Sequence, residues 1–371
     1  MRSRAFDQAA SGTTDLFGAL ASALEARVLA ADQAGPGPEH VRLLFDPASV
    51  ELDRLREGLT IGTRSPRVAE LTGPRAALAA LRDEVPAAAV LLAVHDAAHR
   101  PRVRARILGV VNVTPDSFSD GGHLPTPERA VQHGLELVHR GADLLDVGGE
   151  STRPGAAPVS AEEELERVLP VVDALAQETD VPISIDTTKA SVARAAMDHG
   201  ATIVNDVSAG RIDPELLPLV AERDAEVVLM HMRGTPRDMQ GGPLYEDVLR
   251  EVTEHLRQRV AAARAAGVAT NRIAVDPGIG FGKRLQDNLA LLRRLFELRS
   301  LGLPIVIGVS RKSFLGALSG TEDAADRDFE TVAATALACA HGADVHRVHD
   351  VDAARRALAV AEAIRTGGSA C

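Results

Sequence analysis

Cysteine and aromatic residues are scarce in this chain of 371 residues. The two cysteines, Cys339 and Cys371, are too few for a disulfide framework and fit a reducing cytoplasm. Eight Phe, one Tyr and no Trp exclude the aromatic platform on which single-stranded nucleic acid stacks. We therefore predict a cytoplasmic protein that does not bind nucleic acid.

The chain also lacks a basic excess and a long hydrophobic run. Its 41 Lys and Arg against 52 Asp and Glu give a net charge of −11, which opposes attraction to nucleic acid or anionic membranes. The longest early apolar stretch, Pro86–Val94, is about half a membrane span, and Met1–Ala10 has no signal-peptide core. We predict no export and no membrane anchor, and an anionic substrate would need a local cluster of cations.

From Ile107 onward, short Val, Ile and Leu runs alternate with longer amphipathic stretches, which is typical of βα units and a parallel sheet. The predicted strands are Ile107–Val111, Leu144–Val147, Ile183–Ile185, Ile203–Val204, Val227–Met230, Ile273–Val275, Ile305–Val309 and Val345–Val348. The predicted helices lie near residues 126–140, 160–178, 188–199, 213–224, 246–266, 285–300, 327–341 and 351–365. Eight units of about 33 residues close on themselves, so we predict a (β/α)₈ TIM barrel over residues 101–371.

A polar residue ends or follows each predicted strand. These residues are Asn112, Asp146, Asp186, Asn205, His231, Asp276, the pair Arg311 and Lys312, and Arg347 with His349. Because the carboxyl ends of barrel strands meet at one face, we predict that these residues form a functional rim. The alternative for any single residue is that it caps the next helix.

Residues 1–100 follow a different pattern. Thr13–Ala31 and Arg67–Val85 have helical spacing, whereas Val41–Phe45 and Ala88–Val94 have the composition of strands. We predict a small N-terminal α/β extension of unknown role.

Two loops contain glycines and prolines. The loop over residues 112–122 is long and polar, which suits a lid that closes over substrate. The loop Asp276–Lys283 has three glycines at alternate positions, but Pro277 and Arg284 do not fit the phosphate-loop pattern. We interpret it as a second mobile loop, which carries the aromatic Phe281.

Asp186 and Asp276 end strands that lie nearly opposite each other in an eight-stranded barrel. A carboxylate offers two parallel acceptors, which match a flat N–H and NH₂ edge such as guanidinium or the aminopyrimidinone edge of a pterin or guanine. The Asn205 amide can complete that edge. The alternative is that each aspartate pairs with a barrel Arg or Lys.

Cations follow the seventh and eighth predicted strands, where barrels frequently bind phosphate. The sequence there is SRKS over residues 310–313 and RVH over residues 347–349. The alternative for Arg347 and His349 is an ion pair with Asp350 or Asp352. The sequence has no spacing typical of a zinc site, whereas magnesium beside a pyrophosphate needs few protein ligands.

Eight strings mark these strand ends and loops. They are ILGVVNVTPDSFSDGG from Ile107, DVGGESTRPG from Asp146, SIDTTK from Ser184, VNDVSAG from Val204, LMHMRGTP from Leu229, DPGIGFGK from Asp276, GVSRKSFLG from Gly308 and RVHDV from Arg347. Together they resemble the motifs of dihydropteroate synthases, in order, over about two-thirds of the chain. SIDTTK and VNDV alone are also similar to pterin-dependent methyltransferase barrels.

The resemblance implies an enzyme that condenses 6-hydroxymethyl-7,8-dihydropterin diphosphate with 4-aminobenzoate and releases pyrophosphate, with Mg²⁺ as cofactor and a homodimer as the assembly. The implied catalytic residues are Asp186, Asp276, Lys312, Arg347 and His349. Further substrate contacts fall on Thr152, Arg153, Asn205, Met230, Phe281 and Ser313. The implied lid residues are Phe118, Asp120 and Gly280, and the metal position is Asn112.

Two alternatives remain open at this point. The first is a pterin-dependent methyltransferase, against which the SRKS and RVHDV motifs and the long first loop speak. The second is a barrel that binds pterin without turnover and acts as a structural or regulatory protein. For the implied reaction we predict no strong general base, because the sequence shows no Ser or Cys nucleophile with a base partner.

Overall fold

The computed structural model describes residues 28–31, 40–45, 55, 58–65, 68–81, 91, 104–114, 126–151, 155–234, 239 and 241–366. These residues fall into two compact units. The barrel unit lies within residues 103–293 and 303–371, and the smaller unit lies within residues 10–102 and 294–302.

The smaller unit contains an antiparallel sheet in the strand order β1-β2-β4-β3. Its described elements are β1 (Val28–Ala31), β2 (His40–Phe45), β3 (Thr60–Ser65), β4 (Val68–Pro74), helix α1 (Arg75–Ala80) and a 3₁₀ segment (Leu295–Leu301). Strand β4 lies between β2 and β3 and pairs with both along its length. The central position of β4 buries Leu71 in this sheet.

The sequence predictions for this unit are partly wrong. The predicted strand Val41–Phe45 is confirmed as β2, but the predicted helix Thr13–Ala31 ends in strand β1 and the predicted helix Arg67–Val85 begins with strand β4. Within the predicted strand Ala88–Val94, the described residue Leu91 is helical. Short apolar runs fit either periodicity, and pairing with neighbouring strands decides the outcome.

The barrel unit is a (β/α)₈ barrel, as predicted. Its strands are β5 (Arg106–Asn112), β6 (Leu144–Gly148), β7 (Ile183–Asp186), β8 (Ile203–Asp206), β9 (Glu226–Met230), β10 (Ile273–Asp276), β11 (Val306–Ile307) and β12 (Val345–Val348). They pair in parallel in the order β10-β9-β8-β7-β6-β5-β12-β11. A bridge between Val275 and Ile305 connects β10 to the β11 segment and closes the ring.

Helices follow the strands. They are α2 (Pro127–His139), α3 (Ala161–Glu178), α4 (Ala190–Asp198), α5 (Leu216–Glu222), α6 (Val248–Ala265), α7 (Leu285–Arg293), α8 (Ser313–Ser319), α9 (Asp328–Ala340) and α10 (Val351–Thr366). Ser160 and Asp247 begin α3 and α6 by accepting from Glu163 N at 3.2 Å and Arg250 N at 3.1 Å, which satisfies free amides at each helix start. None of the described helices combines the length and apolar character that a membrane crossing requires.

Two helix predictions need correction. The predicted helix 285–300 ends at Arg293 and is followed by the 3₁₀ segment. Helix α8, directly after β11, is absent from the sequence prediction because it is short and has no polar cap side chain at its start. Gly320 ends α8 in the left-handed conformation, with φ of 83°.

The interior of the barrel is a layer of apolar side chains contributed by seven strands. This buried cluster consists of Leu108, Leu144, Ile203, Val228, Ala274, Val306 and Val345. Such a layer fills the barrel rather than leaving a pore, so ligand binding is confined to the strand ends.

Candidate active site at the barrel mouth

Polar side chains meet at the carboxyl ends of the barrel strands. Two residues beyond the interior layer, the same strand faces carry Asp146, Asn205, Met230, Asp276 and Arg347. Side chains alternate across a strand, so these residues lie above the apolar layer inside the barrel. We call this set, together with Asp186 at the end of β7, the mouth of the barrel.

Arg347 lies between two carboxylates at the mouth. Its Nε donates to Asp146 Oδ2 at 2.6 Å, and its Nη2 donates to Asp186 Oδ2 at 2.9 Å. Asn205 Nδ2 also donates to Asp146 Oδ2, at 3.0 Å. The alternative in which Asp186 pairs with a barrel arginine is therefore the arrangement that the structure shows.

These charges change the ionisation of Asp186. Burial raises the pKa of Asp186 to about 7, the nearby Asp146 carboxylate adds to the rise, and Arg347 opposes it. Although burial alone lowers the pKa of Arg347, the two carboxylates raise it above its ordinary value. Near neutral pH the Asp186 carboxyl is therefore partly protonated, whereas Arg347 stays charged.

Asp276 and Lys312 are a second pair of charged groups at the mouth, and each influences the ionisation of the other. Asp276 Oδ1 accepts from Gly278 N at 2.6 Å, and Lys312 Nζ donates to Ile279 O in the same loop. Burial raises the pKa of Asp276, while the Gly278 hydrogen bond and the Lys312 charge oppose the rise. Burial lowers the pKa of Lys312 to about 8, and Asp276 opposes that change.

Phe281 forms an apolar wall beside these charges. Its ring packs against a buried cluster of Val207, Met230, Met232 and Met239. Lys312 Nζ lies 4.4 Å from the ring centroid, within the range of a cation–π contact. The mouth therefore combines carboxylates, a cation and a flat apolar surface within one set of loops.

Ser310 and His349 form a hydrogen-bonded pair next to Arg347. Ser310 Oγ lies 2.8 Å from His349 Nδ1 and accepts from the His349 backbone N at 3.3 Å. The premise that no serine has a base partner is therefore wrong, because two strand ends that are distant in sequence bring this pair together. A hydroxyl that donates to Nδ1 leaves the proton of the neutral ring on Nε2, which is suited to contact an anion.

Arg311, between Ser310 and Lys312, has a left-handed backbone with φ of 58°. Helix α9 holds it there: its guanidinium donates to Asp328 at 2.8 and 3.0 Å, and its N donates to Thr331 Oγ1 at 2.9 Å. A non-glycine residue adopts this conformation at a cost, so these bonds stabilise the turn that presents Lys312 to the mouth.

The other predicted site residues are distributed as follows. Asn112 ends β5, half-buried and paired in register with Gly148, and Ser313 is the exposed first residue of α8. Gly280 N donates to Asn288 Oδ1 at 2.7 Å. The described residues do not include Thr152, Arg153, Phe118 or Asp120. The lid function of Gly280 stays a prediction.

Two residues at or next to the mouth are missing from the implied site residues. Asp146 belongs to the predicted rim, and its place two residues after Leu144 is the signal that it faces the barrel interior. The second residue is Lys283, whose Nζ lies 2.9 Å from His231 Nδ1. No sequence signal indicates this contact, because the two residues are 52 positions apart.

Residues 108–349 match the family model described as "Pterin binding enzyme". The dihydropteroate synthase of Mycobacterium leprae is 50% identical over 262 residues, which are 69% of this chain and 92% of that protein. The dihydropteroate synthase of Escherichia coli is 45% identical over 257 residues, covering 69% of this chain and 90% of its own length.

Solved structures agree with these relatives. Dihydropteroate synthase from Xanthomonas albilineans with 4-aminobenzoic acid has a TM-score of 0.67 and 50% identity, over 71% of this chain and 93% of that chain. The same enzyme in complex with 7,8-dihydropteroate has a TM-score of 0.65 and 47% identity, over 73% and 98% of the two chains. With its barrel, its motifs and these likenesses, the chain belongs to the dihydropteroate synthase family of pterin-binding enzymes.

Proposed function

We propose that this chain joins 6-hydroxymethyl-7,8-dihydropterin diphosphate to 4-aminobenzoate and forms 7,8-dihydropteroate and pyrophosphate. The observation that carries the proposal is the barrel mouth, where buried carboxylates lie beside a lysine, an arginine and the Phe281 wall. A heterocycle with N–H donors, an anionic leaving group and an aromatic amine each find a matching group there.

The pterin is assigned to Asp276, Asn205 and Asp186. Asp276 Oδ1 accepts from Gly278 N. Oδ2 of the same carboxylate is assigned to the N–H groups of the heterocycle. Met230 and Lys312 both lie next to Phe281. The pterin ring is therefore assigned to the space between this apolar side chain and this cation.

The diphosphate is assigned to Arg347 and His349, with Thr152 as a further contact. Arg347 is charged and anchored by two carboxylates, so its position does not depend on the ligand. Ser310 orients the His349 ring so that Nε2 donates to a phosphate oxygen.

In the reaction, the bond between the pterin methylene carbon and the diphosphate oxygen breaks, and the electron pair leaves with the diphosphate. The cationic methylene that remains is stabilised by the carboxylates of the mouth. The amine nitrogen of 4-aminobenzoate then forms a bond to that carbon and loses a proton to solvent. An arylamine is weakly basic, so this step requires no strong general base.

The 4-aminobenzoate ring is assigned to the Phe281 wall. Ser313 is the first residue of α8. It is assigned to the carboxylate of 4-aminobenzoate from the sequence motifs. Arg153 and the lid residues Phe118, Asp120 and Gly280 complete this assignment from the sequence motifs.

The proposed cofactor is magnesium at Asn112. The residue shares a strand face with Leu108 and so points into the barrel, where its amide oxygen is a hard donor. Among the described residues, no group of three His, Cys, Asp or Glu side chains is arranged to hold a metal ion. A single amide oxygen from Asn112 fits Mg²⁺, because this ion keeps several water ligands and binds phosphate oxygens. When bound, the ion neutralises charge on the leaving diphosphate.

The test is an assay of pyrophosphate release with the full chain. We expect release that requires dihydropterin diphosphate, 4-aminobenzoate and magnesium together. Pterin binding without release would identify a barrel that has lost turnover. Transfer of a methyl group from a methylated pterin, with no pyrophosphate formed, would identify a methyltransferase instead.

Pterin affinity is expected to depend on pH through Asp186. The carboxylate form accepts the pterin N–H groups, and its pKa is raised to about 7 by burial. Affinity for 6-hydroxymethylpterin therefore rises from pH 6 to pH 8, and below pH 7 the Kd increases by up to about tenfold per pH unit. Isothermal titration calorimetry at pH 6, 7 and 8 measures the slope, and buffers of different ionisation enthalpy report protons released on binding.

The matched variant for this titration is Asp186→Asn, which keeps the shape and cannot ionise. It binds more weakly and loses the part of the pH dependence centred near pH 7. Equal affinity of the wild-type protein at pH 6 and pH 8 would contradict the role of Asp186.

The proposed assembly is a homodimer that buries the exposed faces of α9 and α10. These adjacent helices expose large apolar side chains, among them Phe329 at 89% and Ile364 at 77%. Soluble monomers rarely display such clusters. We expect a solution mass about twice the 39.0-kDa chain, and Phe329→Glu is expected to yield the monomer in sedimentation equilibrium.

Ile212→Glu is the control, because Ile212 is also an exposed apolar residue but follows β8 rather than lying on α9 or α10. It should leave the mass unchanged. A monomeric wild-type chain would refute the assembly. The cytoplasmic location remains a prediction.

A further inference from the structure

Lys283 is a buried lysine that the steps above leave without a role. It is 3% exposed and is one of three lysines among the 41 basic residues of the chain. The other two, Lys189 and Lys312, also lie just beyond barrel strands. An ammonium is a compact charge with three donors, whereas guanidinium is a wide planar fork. The compact amino group of Lys283 therefore fits a buried position that a guanidinium would not.

The Lys283 amino group lies within hydrogen-bond distance of three polar atoms. Nζ lies 2.9 Å from His231 Nδ1, 3.3 Å from His231 O and 3.0 Å from Phe281 O. Burial lowers the pKa of His231, and the Lys283 charge lowers it further, so this ring is neutral and accepts at Nδ1. Burial also lowers the pKa of Lys283, while Asp276 is the largest opposing influence. Charged or neutral, the amine keeps at least two N–H donors for these contacts.

These bonds connect two backbone segments in close contact. Gly278 and Gly282 have φ of 68° and 60°, and a Cβ on either would meet a carbonyl oxygen, of His231 and Arg233 respectively. The loop after β10 therefore lies directly on the segment after β9, with no room for side chains between them. Tyr245 Oη donates to Gly282 O at 2.7 Å on the same segment.

The consequence concerns Phe281. Its carbonyl is held by Lys283, while its ring covers the methionine cluster and contacts Lys312. Fixing the carbonyl of a residue limits where its side chain can point. Lys283 lies behind the wall. Its hydrogen bonds reach the mouth through this residue and His231, and its other influence there is electrostatic, on Asp276.

We propose that Lys283 is a positioning residue for 4-aminobenzoate: by holding Phe281 O and His231, its amino group fixes the ring on which the aromatic amine packs. This inference rests on the proposed function. It predicts an effect on the aminobenzoate half of the reaction and little effect on the pterin half.

The first test replaces Lys283 with methionine, which is similar in length and uncharged. We expect the KM for 4-aminobenzoate to rise about 10- to 100-fold, while the Kd for 6-hydroxymethylpterin changes much less. The control is Arg284→Ala, which removes a neighbouring cation that pairs with Asp287. We expect this variant to keep the wild-type KM for 4-aminobenzoate and the wild-type Kd for 6-hydroxymethylpterin. Equal losses in pterin Kd and aminobenzoate KM would overturn the proposal.

A double-mutant cycle separates positioning from general stability. If Lys283 acts through Phe281, Lys283→Met has little further effect on the aminobenzoate KM in a Phe281→Ala background. If the KM of the double variant rises by the product of the two single-variant increases, Lys283 acts independently of Phe281. That result would reject the proposal.

The wild-type protein provides a test that does not depend on a folded variant. With three lysines, ¹³C-lysine labelling gives three side-chain signals, which conservative Lys→Arg changes assign. Pteroic acid and 6-hydroxymethylpterin differ by the aminobenzoate half, so we expect the Lys283 signal to differ between the two complexes while Lys189 does not respond. An identical Lys283 signal in both complexes would refute the proposal, whereas failure of either compound to bind would refute the proposed function instead.

Discussion

Asp276→Asn is expected to weaken binding of 6-hydroxymethylpterin by about 1–3 kcal/mol, or about 5- to 150-fold in Kd. The amide has one acceptor oxygen, and Gly278 N already occupies the Oδ1 position. The NH₂ group of the variant then faces the pterin N–H groups, so two donors meet where an acceptor is needed. Turnover falls with the affinity, because the same variant removes a negative charge beside the pterin methylene.

Asp206→Asn is the matched control for this change. Asp206 also ends a barrel strand and accepts from the N–H two residues later, Ser208 N at 2.7 Å. It follows Asn205, so the alternation of the strand turns it away from the mouth. Calorimetry at pH 8, above the pKa of Asp186, should therefore give wild-type affinity for Asp206→Asn. If Asp276→Asn binds equally well, Asp276 does not contact the pterin.

Lys312→Ala is expected to lower kcat/KM by about 10²–10³-fold. The ammonium lies between Ile279 O and the Phe281 ring, near Asp276, where it can reach both the pterin and the incoming amine. Its pKa, which burial lowers to about 8, predicts a second consequence. Activity that requires the charged lysine falls as pH rises through 8, and this limb of the pH profile disappears in the variant.

The control for Lys312→Ala removes a cation from the neighbouring loop. Arg284→Ala leaves the mouth intact, since this guanidinium pairs with Asp287 at 2.8 Å. Steady-state pyrophosphate release measured between pH 6 and pH 9 compares both variants with the wild-type chain. Wild-type kinetics in Lys312→Ala would exclude the lysine from the site.

Much of the barrel could be predicted from the sequence because each strand is a short apolar run followed by a polar residue. The position of Asp276, Asn205 and Arg347 at strand ends predicted that they meet at one face of the barrel, and the structure brings them together there. The prediction depended on the regular alternation of strand and helix segments and on the closure of eight βα units into a barrel. Neither requires knowledge of contacts between distant residues.

Contacts between distant segments could not be predicted in this way. Three contacts join side chains from separate segments of the chain. They are the Ser310–His349 pair, the Asp328 anchor of Arg311 and the link from Lys283 to His231. These contacts depend on the path of the chain in three dimensions. The local hydrophobic pattern of the sequence contains no information about that path. In the smaller unit, the strand β4 within a predicted helix shows the same dependence on partners.

The alternation along the barrel strands also limits how this gene can change. One codon inserted within Leu144–Gly148 would rotate Asp146 from the barrel interior to the helix layer and turn an apolar neighbour inward. The same codon inserted in a surface turn leaves every strand in phase. Length variation that preserves activity is therefore confined to the turns, and drift inside the strands is limited to replacement of one residue by another.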